Sequence, residues 1–330
     1  CEQLGLLPGT ELFIIRLADG RDIPASALSL KEVRQVDLTP VEGAAKGALK
    51  LNGKAVEATF AHADFTLVWR AVLRDGSHYL RTELELTAPK DLDMRGILAM
   101  NYTFDNRFGK KLPQVVGNTR GAVIASDKIF AGLETPMGIN TVASAPTVDT
   151  SLLQGFWSRQ TTLQAGKTWS VGAVVGIVAP DQARRSFLAY SERERAVPWR
   201  PMPVYISWYE LNIDRNNSED YSGNMNIGQC VDVVKHWNKD FFKKYKKGVK
   251  AFVFDDGWDE YGLWTFSKNF PNGFQEIDRL ARKMGSGIGA WLGPVGGYGQ
   301  SGTYRRNYWK DKGGMQLSNP AYYKVFLDAC

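Results

Sequence analysis

The chain has 330 residues, 44% of them hydrophobic and 23% charged, with a formal net charge of +6. That composition excludes a disordered or low-complexity chain and fits one large domain or two ordinary ones. No apolar run approaches the ~18 residues that a membrane span needs.

The basic excess is local, since "KKYKKGVK" (243–250) alone holds five lysines. It reads as the solvated end of a helix. A nucleic-acid face would interleave aromatics with its basic residues on a platform, and no such module is present, so no nucleic-acid partner is expected. Three cysteines (Cys1, Cys230, Cys330) and three histidines (His62, His78, His236) lie far apart, which gives no disulfide framework and no metal-ligand spacing. The opening "CEQLGLLPGT" lacks the basic and apolar regions of a signal peptide. Cys1 fits a lipid-attachment cysteine, although strand-like sequence begins at Glu11 after only a short tether.

Residues 11 to about 178 read as strands. "ELFIIRL" runs into the turn "ADGRD". In "KGALKLNGKAVEATFA" the pair Asn52-Gly53 sits between two short alternating runs and predicts a hairpin turn there. Asp75-Gly76 repeats the device in "FTLVWRAVLRDGSHYLRTELELTA". Leu80, Thr82, Leu84 and Leu86 fall on one face of that second strand, and Arg81, Glu83 and Glu85 on the other. "LDMRGILAMNYTF", "GAVIASDKIFAGLE" and "TWSVGAVVGIVA" continue the rhythm. Many antiparallel strands with short turns predict a β-sandwich over 1–179.

The pattern changes near 180. "PDQARRSFLAYSERERA" (180–196) predicts a helix, and "VPWRPMP" (197–203) has three prolines in seven residues. Residues 180–203 therefore read as a helical linker and boundary. From 204 to 330, strands alternate with helices. "VYISWYEL" is a strand and "IGQCVDVVKHWNKDFFKKYK" a helix with Val231, Val234, Trp237, Phe241 and Phe242 near helical spacing. "KAFVFDD" is a continuous apolar run of the kind buried on both faces. "GFQEIDRLARKMG", "GIGAWLGP" and "NPAYYKVFLDAC" give a helix, a third strand and the start of another helix. The GxGxxG-like string at Gly285 precedes a strand rather than opening a helix, which argues against a dinucleotide fold. Aromatic and acidic residues gather where the strands end: Trp208 and Tyr209, then Asp255, Asp256 and Trp258, then Trp291. In (β/α) barrels the active site is built from those ends. The expected fold class is multidomain, β plus α/β: an N-terminal antiparallel β-sandwich followed by the first three βα units of a (β/α)8 TIM barrel. A closed barrel takes eight strands and ~250 residues, so the remaining units are expected elsewhere.

Adjacent strand residues point to opposite faces, so Asp255 and Asp256 cannot face each other across a bond. Adjacent acids suit another role, that of accepting hydrogen bonds from vicinal hydroxyls, with Trp208, Trp258 and Trp291 offering apolar faces. The competing reading makes the acids turn residues satisfied by backbone N–H groups and the tryptophans ordinary packing. A cation site from Asp255, Asp256 and Asp259 lacks the rest of a shell. "GPVGGYG" (293–299) lacks the lysine-serine ending of a P-loop and reads as a flexible loop after the third strand. "YRRNYW" (304–309) offers Arg305 and Arg306, where an arginine either clamps a carboxylate or a sugar hydroxyl or lies in a solvated turn.

"FVFDDGWDEYG" (252–262) followed by "FPNGFQEIDRLARKMGSGIGAWLGPVGGYG" (270–299) resembles the α-galactosidase and raffinose synthase clan of glycoside hydrolases, family 36-like, in a bacterial branch. "SWYELN" (207–212) fits the first barrel strand of that branch. The likeness covers about 200–330 well and the β-rich half more loosely, through "GLETPMGINT" (132–141). The resemblance implies retaining hydrolysis of α-linked galactosides, or transfer of that sugar, with a carbohydrate partner, no cofactor and no metal. It implies that the Asp pair grips sugar hydroxyls. The nucleophile would follow the fourth barrel strand in a Lys-x-Asp context and the acid/base would come near the sixth, both beyond Cys330, so no catalytic residue is expected within this chain. The substrate-binding set is Asp255, Asp256, Trp208, Trp258, Trp291, Tyr209 and Arg305. An extracellular or periplasmic setting is expected, with a surface lipoprotein if Cys1 is lipidated. The alternative is a non-catalytic carbohydrate-binding protein with an incomplete barrel.

Overall fold

The computed structural model describes residues 7, 11–144, 149–159, 161–211 and 218–330. Cys1 and Asn212, the last residue of "SWYELN", lie outside the described residues. The chain divides into two compact units, Cys1–Trp199 and Arg200–Cys330.

In the first unit the strands are β1 (Ile14–Leu17), β2 (Asp22–Pro24), β3 (Ser29–Leu38), β4 (Gly53–Ala61), β5 (Thr66–Arg74), β6 (Tyr79–Thr87), β7 (Met94–Asp105), β8 (Gln114–Val116), β9 (Val123–Ala125), β10 (Ile129–Leu133), β11 (Ile139–Ser144), β12 (Thr150–Ser158) and β13 (Thr168–Ile177). Among the described residues they form a five-stranded sheet, β11-β12-β7-β1-β2, and an eight-stranded sheet, β3-β4-β5-β6-β13-β10-β9-β8. The pairings are antiparallel. Period-two patterning gives each sheet one apolar face. Phe13, Ile15, Ile97 and Leu153 meet Leu67, Leu84, Leu86 and Val171 in one buried core, so the two sheets form a β-sandwich.

Asn52-Gly53 is not a hairpin turn, contrary to the expectation. Ala48–Lys50 is a short 3-10 turn and Gly53 opens β4, which pairs with the distant β3. The glycine serves close approach instead: a Cβ there would stand 2.4 Å from the Leu73 carbonyl oxygen. Asp75-Gly76 does join β5 to β6, with Gly76 at φ +66°. Glu57, on β4, lies between two arginines: Arg70 Nε donates to Oε2 at 2.5 Å and Arg34 Nε to Oε1 at 2.9 Å. These hydrogen bonds, Arg70's first, hold its carboxyl below the ordinary value.

Helix α1 (Ala183–Glu194) packs on the other face of the larger sheet. Phe187 and Tyr190 each meet Phe130 with ring centroids 5.5 Å apart. Tyr190 Oη donates to Glu134 at 2.7 Å, and Arg81 forks onto the same carboxylate at 2.6 and 2.9 Å.

In the second unit, β14 (Val204–Ile206), β15 (Ala251–Phe254) and β16 (Gly287–Ala290) form a parallel sheet in sequence order. Helix α2 (Ile227–His236) starts with a capping box, in which Asn226 and Gln229 each accept the other's backbone N–H at 3.1 Å. The chain then widens into a π-helical turn at Trp237–Phe242 and resumes briefly as α3 (Lys243–Tyr245). The wider turn rotates Phe241 out to solvent, off the buried face that the 3.6-residue period predicts for it. Lys246, at φ +54°, ends the helix, and the lysines around it are exposed. Helix α4 (Gln275–Arg282), α5 (Gly299–Trp309) and α6 (Pro320–Ala329) follow. Residues 293–298 form the loop expected after the third strand, and α5 replaces the turn expected over 304–309. Phe252 and Phe254 are fully buried against Val234, Ile277 and Ala281. The other face of the sheet is only partly covered: Val253 is half-buried, and Val204 and Ile206 are exposed. Within the "AFVF" run Ala251, Phe252 and Phe254 are buried and Val253 is half-buried, with α2 and α4 supplying the apolar cover on the phenylalanine side. Among the described residues no helix is long and apolar enough to cross a membrane.

Two outcomes test these contacts. Gly53→Ala should lower the urea midpoint of the sandwich, at a cost of about 1–3 kcal/mol from overpacking against β5; an unchanged midpoint would show that the strands yield freely. Glu57, with its depressed folded value, adds stability above the ordinary carboxylate range and loses it as pH falls through the depressed value. The gap in Tm between wild type and Glu57→Gln should thus be open at neutral pH and close as pH falls through the depressed value. A gap that stays constant with pH would contradict the ion-pair account.

Candidate functional site

The parallel sheet determines where the site sits. Beyond β15 the ladder continues for one residue toward β16, where Trp291 N–H donates to the Phe254 carbonyl at 2.8 Å; on the other side Asp255 N–H donates to the side-chain hydroxyl of Ser207, also at 2.8 Å. The three segments after β14, β15 and β16 thus leave one end of the sheet, with Asp255 at its centre. The Asp255 carboxylate is half-buried. Its Oδ1 accepts the Asp256 N–H at 2.7 Å, and its Oδ2 has no hydrogen-bond partner among the described residues.

Asp256, in the bend just past β15, points the other way, toward α5. It is buried. Oδ2 accepts from Ser301 Oγ at 2.7 Å, and Oδ1 accepts from Arg305 Nη2. Arg305, on α5, is 0% exposed and forks onto Asp259, also 0% exposed, through Nε at 2.9 Å and Nη2 at 2.5 Å. Its Nη1 donates to the Gly296 carbonyl at 3.1 Å. Aromatic faces enclose the guanidinium, with Trp264 at 4.7 Å and Tyr261 and Trp291 each at 5.5 Å from its central carbon. Burial pushes the Asp259 carboxyl up, against the pull of Arg305. The two carboxylates hold the Arg305 guanidinium further up, against its own burial.

The residues expected to bind substrate therefore separate. Asp255 stands at the strand end with an open oxygen. Trp208 (43% exposed) and Tyr209 (80% exposed) occupy a 3-10 turn directly after β14. Trp258 is buried, donates its indole N–H to the Trp291 carbonyl at 3.0 Å and packs in the core of the second unit. Trp291 is half-buried under the glycine loop, and a Cβ at Gly297 would stand 2.3 Å from its ring. Arg305 does not lie in a solvated turn; it is buried and clamps two carboxylates of the chain itself, Asp256 and Asp259. Asp256 is likewise turned inward. The physical reason is shared: two acids and one arginine satisfy one another there, and that arrangement closes them off from solvent. A guanidinium occupies the place a cation would take, and among the described residues no group of three His, Cys, Asp or Glu could hold a metal ion.

Three participants carry no assignment from the sequence. Ser207 orients the Asp255 backbone and Ser301 the Asp256 carboxylate, and serines carry no spacing signal. Tyr298, 85% exposed in the loop after β16, was legible as the aromatic in "GPVGGYG".

A concavity of about 600 Å³ lies in the sandwich unit and is lined by Arg81, Glu83, Glu134, Glu194 and Tyr190 among others. Its charged groups already answer one another: Arg81 pairs with Glu134 and Glu83, and Tyr79 Oη donates to Glu194 at 2.8 Å. Those contacts dock α1 on the sheet and leave no convergent open group comparable to Asp255.

No family model matches the chain, and no curated protein matches it. Solved structures do. GH36 α-galactosidase AgaB from Geobacillus stearothermophilus aligns with a TM-score of 0.55 at 15% identity, over 86% of this chain and 45% of that one. A variant of AgaA from the same organism, in complex with stachyose, gives 0.52 at 14% identity over 86% and 46%. A glycoside hydrolase family 97 enzyme from Pseudoalteromonas sp. strain K8, in complex with acarbose, gives 0.51 at 11% identity over 84% and 48%. The chain is thus similar in fold to GH36 and GH97 enzymes and spans less than half the length of each.

The buried cluster makes one firm demand on stability. Asp259→Ala leaves Arg305 short of its main partner, and breaking a buried pair this way costs about 3–5 kcal/mol. Urea unfolding followed by tryptophan fluorescence should register that loss; a change under about 1 kcal/mol would mean that the fork carries little of the loop's stability.

Proposed function

We propose that this chain supplies the sugar-binding side of a glycoside hydrolase of α-galactosidase type, which hydrolyses α-linked galactosides with retention. The observation that carries the reading is the Asp255 carboxylate. One oxygen is fixed by a backbone N–H and the other is open, at the end of a parallel sheet where the neighbouring loops present Trp208, Tyr209 and Tyr298. A carboxylate held this way accepts charge-assisted hydrogen bonds from sugar hydroxyls, and exposed aromatic faces match the C–H surfaces of a pyranose. The sequential order β14-β15-β16 supports reading the second unit as the opening of a (β/α)8 barrel, because a doubly wound sheet would reverse its strand order at the ligand site. The fold likeness to GH36 α-galactosidases, one of them in complex with stachyose, points to the same class of ligand. In this reading the bond-breaking carboxylates belong to later barrel strands. Asp255 orients the sugar for them.

A second reading has its own support. Asp256 is held by Arg305 and Ser301, so the adjacent acids cannot act as an acid–base pair, and the described residues by themselves would bind a sugar without cleaving it. The alternative is a carbohydrate-binding protein without turnover.

Calorimetric titration of the chain with methyl α-galactoside tests the shared core of both readings. Asp255→Asn should weaken binding by about 10- to 100-fold, the worth of a hydrogen bond to a charged acceptor. Equal affinity in the two proteins would remove Asp255 from the site. Release of phenol from an aryl α-galactoside by the protein as its organism makes it separates the readings: turnover supports the hydrolase, and binding without turnover supports the alternative.

A further inference from the structure

Sugar binding at Asp255 leaves the buried arginine beside it without a role, and the contacts of that arginine run further than one ion pair. Arg305 joins three separate pieces of chain. Through Asp256 and Asp259 it holds the segment that leaves β15. Through Gly296 it holds the loop that leaves β16, and its neighbour Arg306 adds a hydrogen bond to the Gly297 carbonyl at 2.9 Å. Both arginines stand on α5, which also contributes Ser301 to Asp256.

The connection to the open carboxylate is short and covalent. Asp255 Oδ1 accepts from the backbone N–H of Asp256, so the direction of that N–H sets the direction of the Asp255 carboxylate. The Asp256 side chain is in turn pinned at both oxygens, by Ser301 and by Arg305. On the other side, Gly296 and Gly297 immediately precede Tyr298. Their backbones sit at φ +91° and +79°, in a region that L side chains rarely adopt. Gly302 of α5 lies close against this loop, since a Cβ there would stand 2.7 Å from the Gly297 carbonyl. One guanidinium therefore fixes both the acid and the aromatic that would meet a sugar.

We propose that Arg305 is a positioning residue for sugar binding: without touching the sugar, its guanidinium holds the Asp255 carboxylate and the Gly296–Tyr298 loop in one fixed arrangement. The proposal rests on the sugar-binding role of Asp255. Only arginine suits the position. The planar fork serves two carboxylates and a carbonyl at once and stacks on aromatic faces, whereas the lysine ammonium is a compact point charge on a flexible stem. Misplacement of binding groups by as little as ~1 Å costs affinity steeply, which is why a residue behind the site sets its strength.

The test uses the whole 330-residue chain and the variants Arg305→Lys, Ser301→Ala and Asp255→Asn. Two quantities are measured: backbone hydrogen exchange in segments 255–262 and 293–298, and the Kd for methyl α-galactoside. Arg305→Lys keeps the charge and should melt cooperatively. Both segments should exchange faster together while β15 stays protected, and Kd should rise at least about tenfold. A wild-type Kd, or loosening of one segment alone, overturns the proposal. If Arg305→Lys does not fold, Ser301→Ala carries the test, because it removes a donor to Asp256 without changing charge. A clear rise in its Kd with faster exchange at 255–262 is then expected, and wild-type behaviour overturns the proposal. Asp255→Asn distinguishes failure of the sugar site from failure of the positioning role. If it binds as tightly as wild type, the sugar site fails and takes this role of Arg305 with it. If it binds weakly while Arg305→Lys binds normally, the positioning role alone fails.

Discussion

A guanidinium enclosed by protein must have its charge answered and its N–H groups paired, or the fold does not hold it. In the second unit that requirement falls on Arg305. Two carboxylates, one backbone carbonyl and three aromatic faces surround it. Its two acid partners, Asp256 and Asp259, come from the irregular chain just after a strand, and the carbonyl from a glycine-rich loop. The first segment has only one short antiparallel bridge of its own, Asp259 with Phe266, and the second only a turn from Gly293 to Gly296. The cluster ties these two segments and α5 to one another.

The same cluster explains why two neighbouring acids have different fates. Alternation along an extended chain sends adjacent side chains to opposite sides. One side leads to Arg305 and Ser301, and Asp256 is held there. The other leads to the open end of the sheet, where Asp255 keeps one oxygen without a hydrogen bond among the described residues. Gly257 follows at φ +117°, so the chain turns away directly after the pair. A buried acid that locks the backbone and a half-buried acid that faces outward form a sequence-adjacent unit of support and contact.

The sandwich unit solves a related problem with different means. Its larger sheet carries polar and charged residues on the face away from the core, and α1 lies on that face. Apolar contact alone is limited there to Phe130, Tyr79, Val174 and Val178 with Phe187 and Tyr190. The Arg81–Glu134 fork, extended by Tyr190 and by the Tyr79–Glu194 hydrogen bond, completes the docking. Burial, with the Glu194 hydrogen bond, pushes the Tyr79 hydroxyl up to about 12, so it stays a donor at any ordinary pH. In both units, irregular or amphipathic pieces are fixed by arginine–carboxylate forks.

The sequence by itself determined whatever rests on local period and composition. Alternation in "YLRTELELTA" set which face of β6 is buried, the apolar run "AFVF" marked β15, and Asp75-Gly76 marked a turn, because each depends on residues near one another in the chain. The likeness of "FVFDDGWDEYG" to a glycoside hydrolase clan was legible for the same reason, as a short contiguous string. What only the tertiary structure decided were choices made by distant partners. Gly53 is required by the Leu73 carbonyl and not by a turn. Phe241 leaves the core because of a π-helical turn with no sequence signature. Helix α5 forms on a stretch with glycines at 299 and 302 because it packs on the loop before it. Above all, Asp256, Trp258 and Arg305 face inward while Asp255 faces outward. Composition cannot distinguish a charge that meets a ligand from one that meets another charge, since that depends on which groups, 45 and more residues apart, the fold brings within hydrogen-bonding distance.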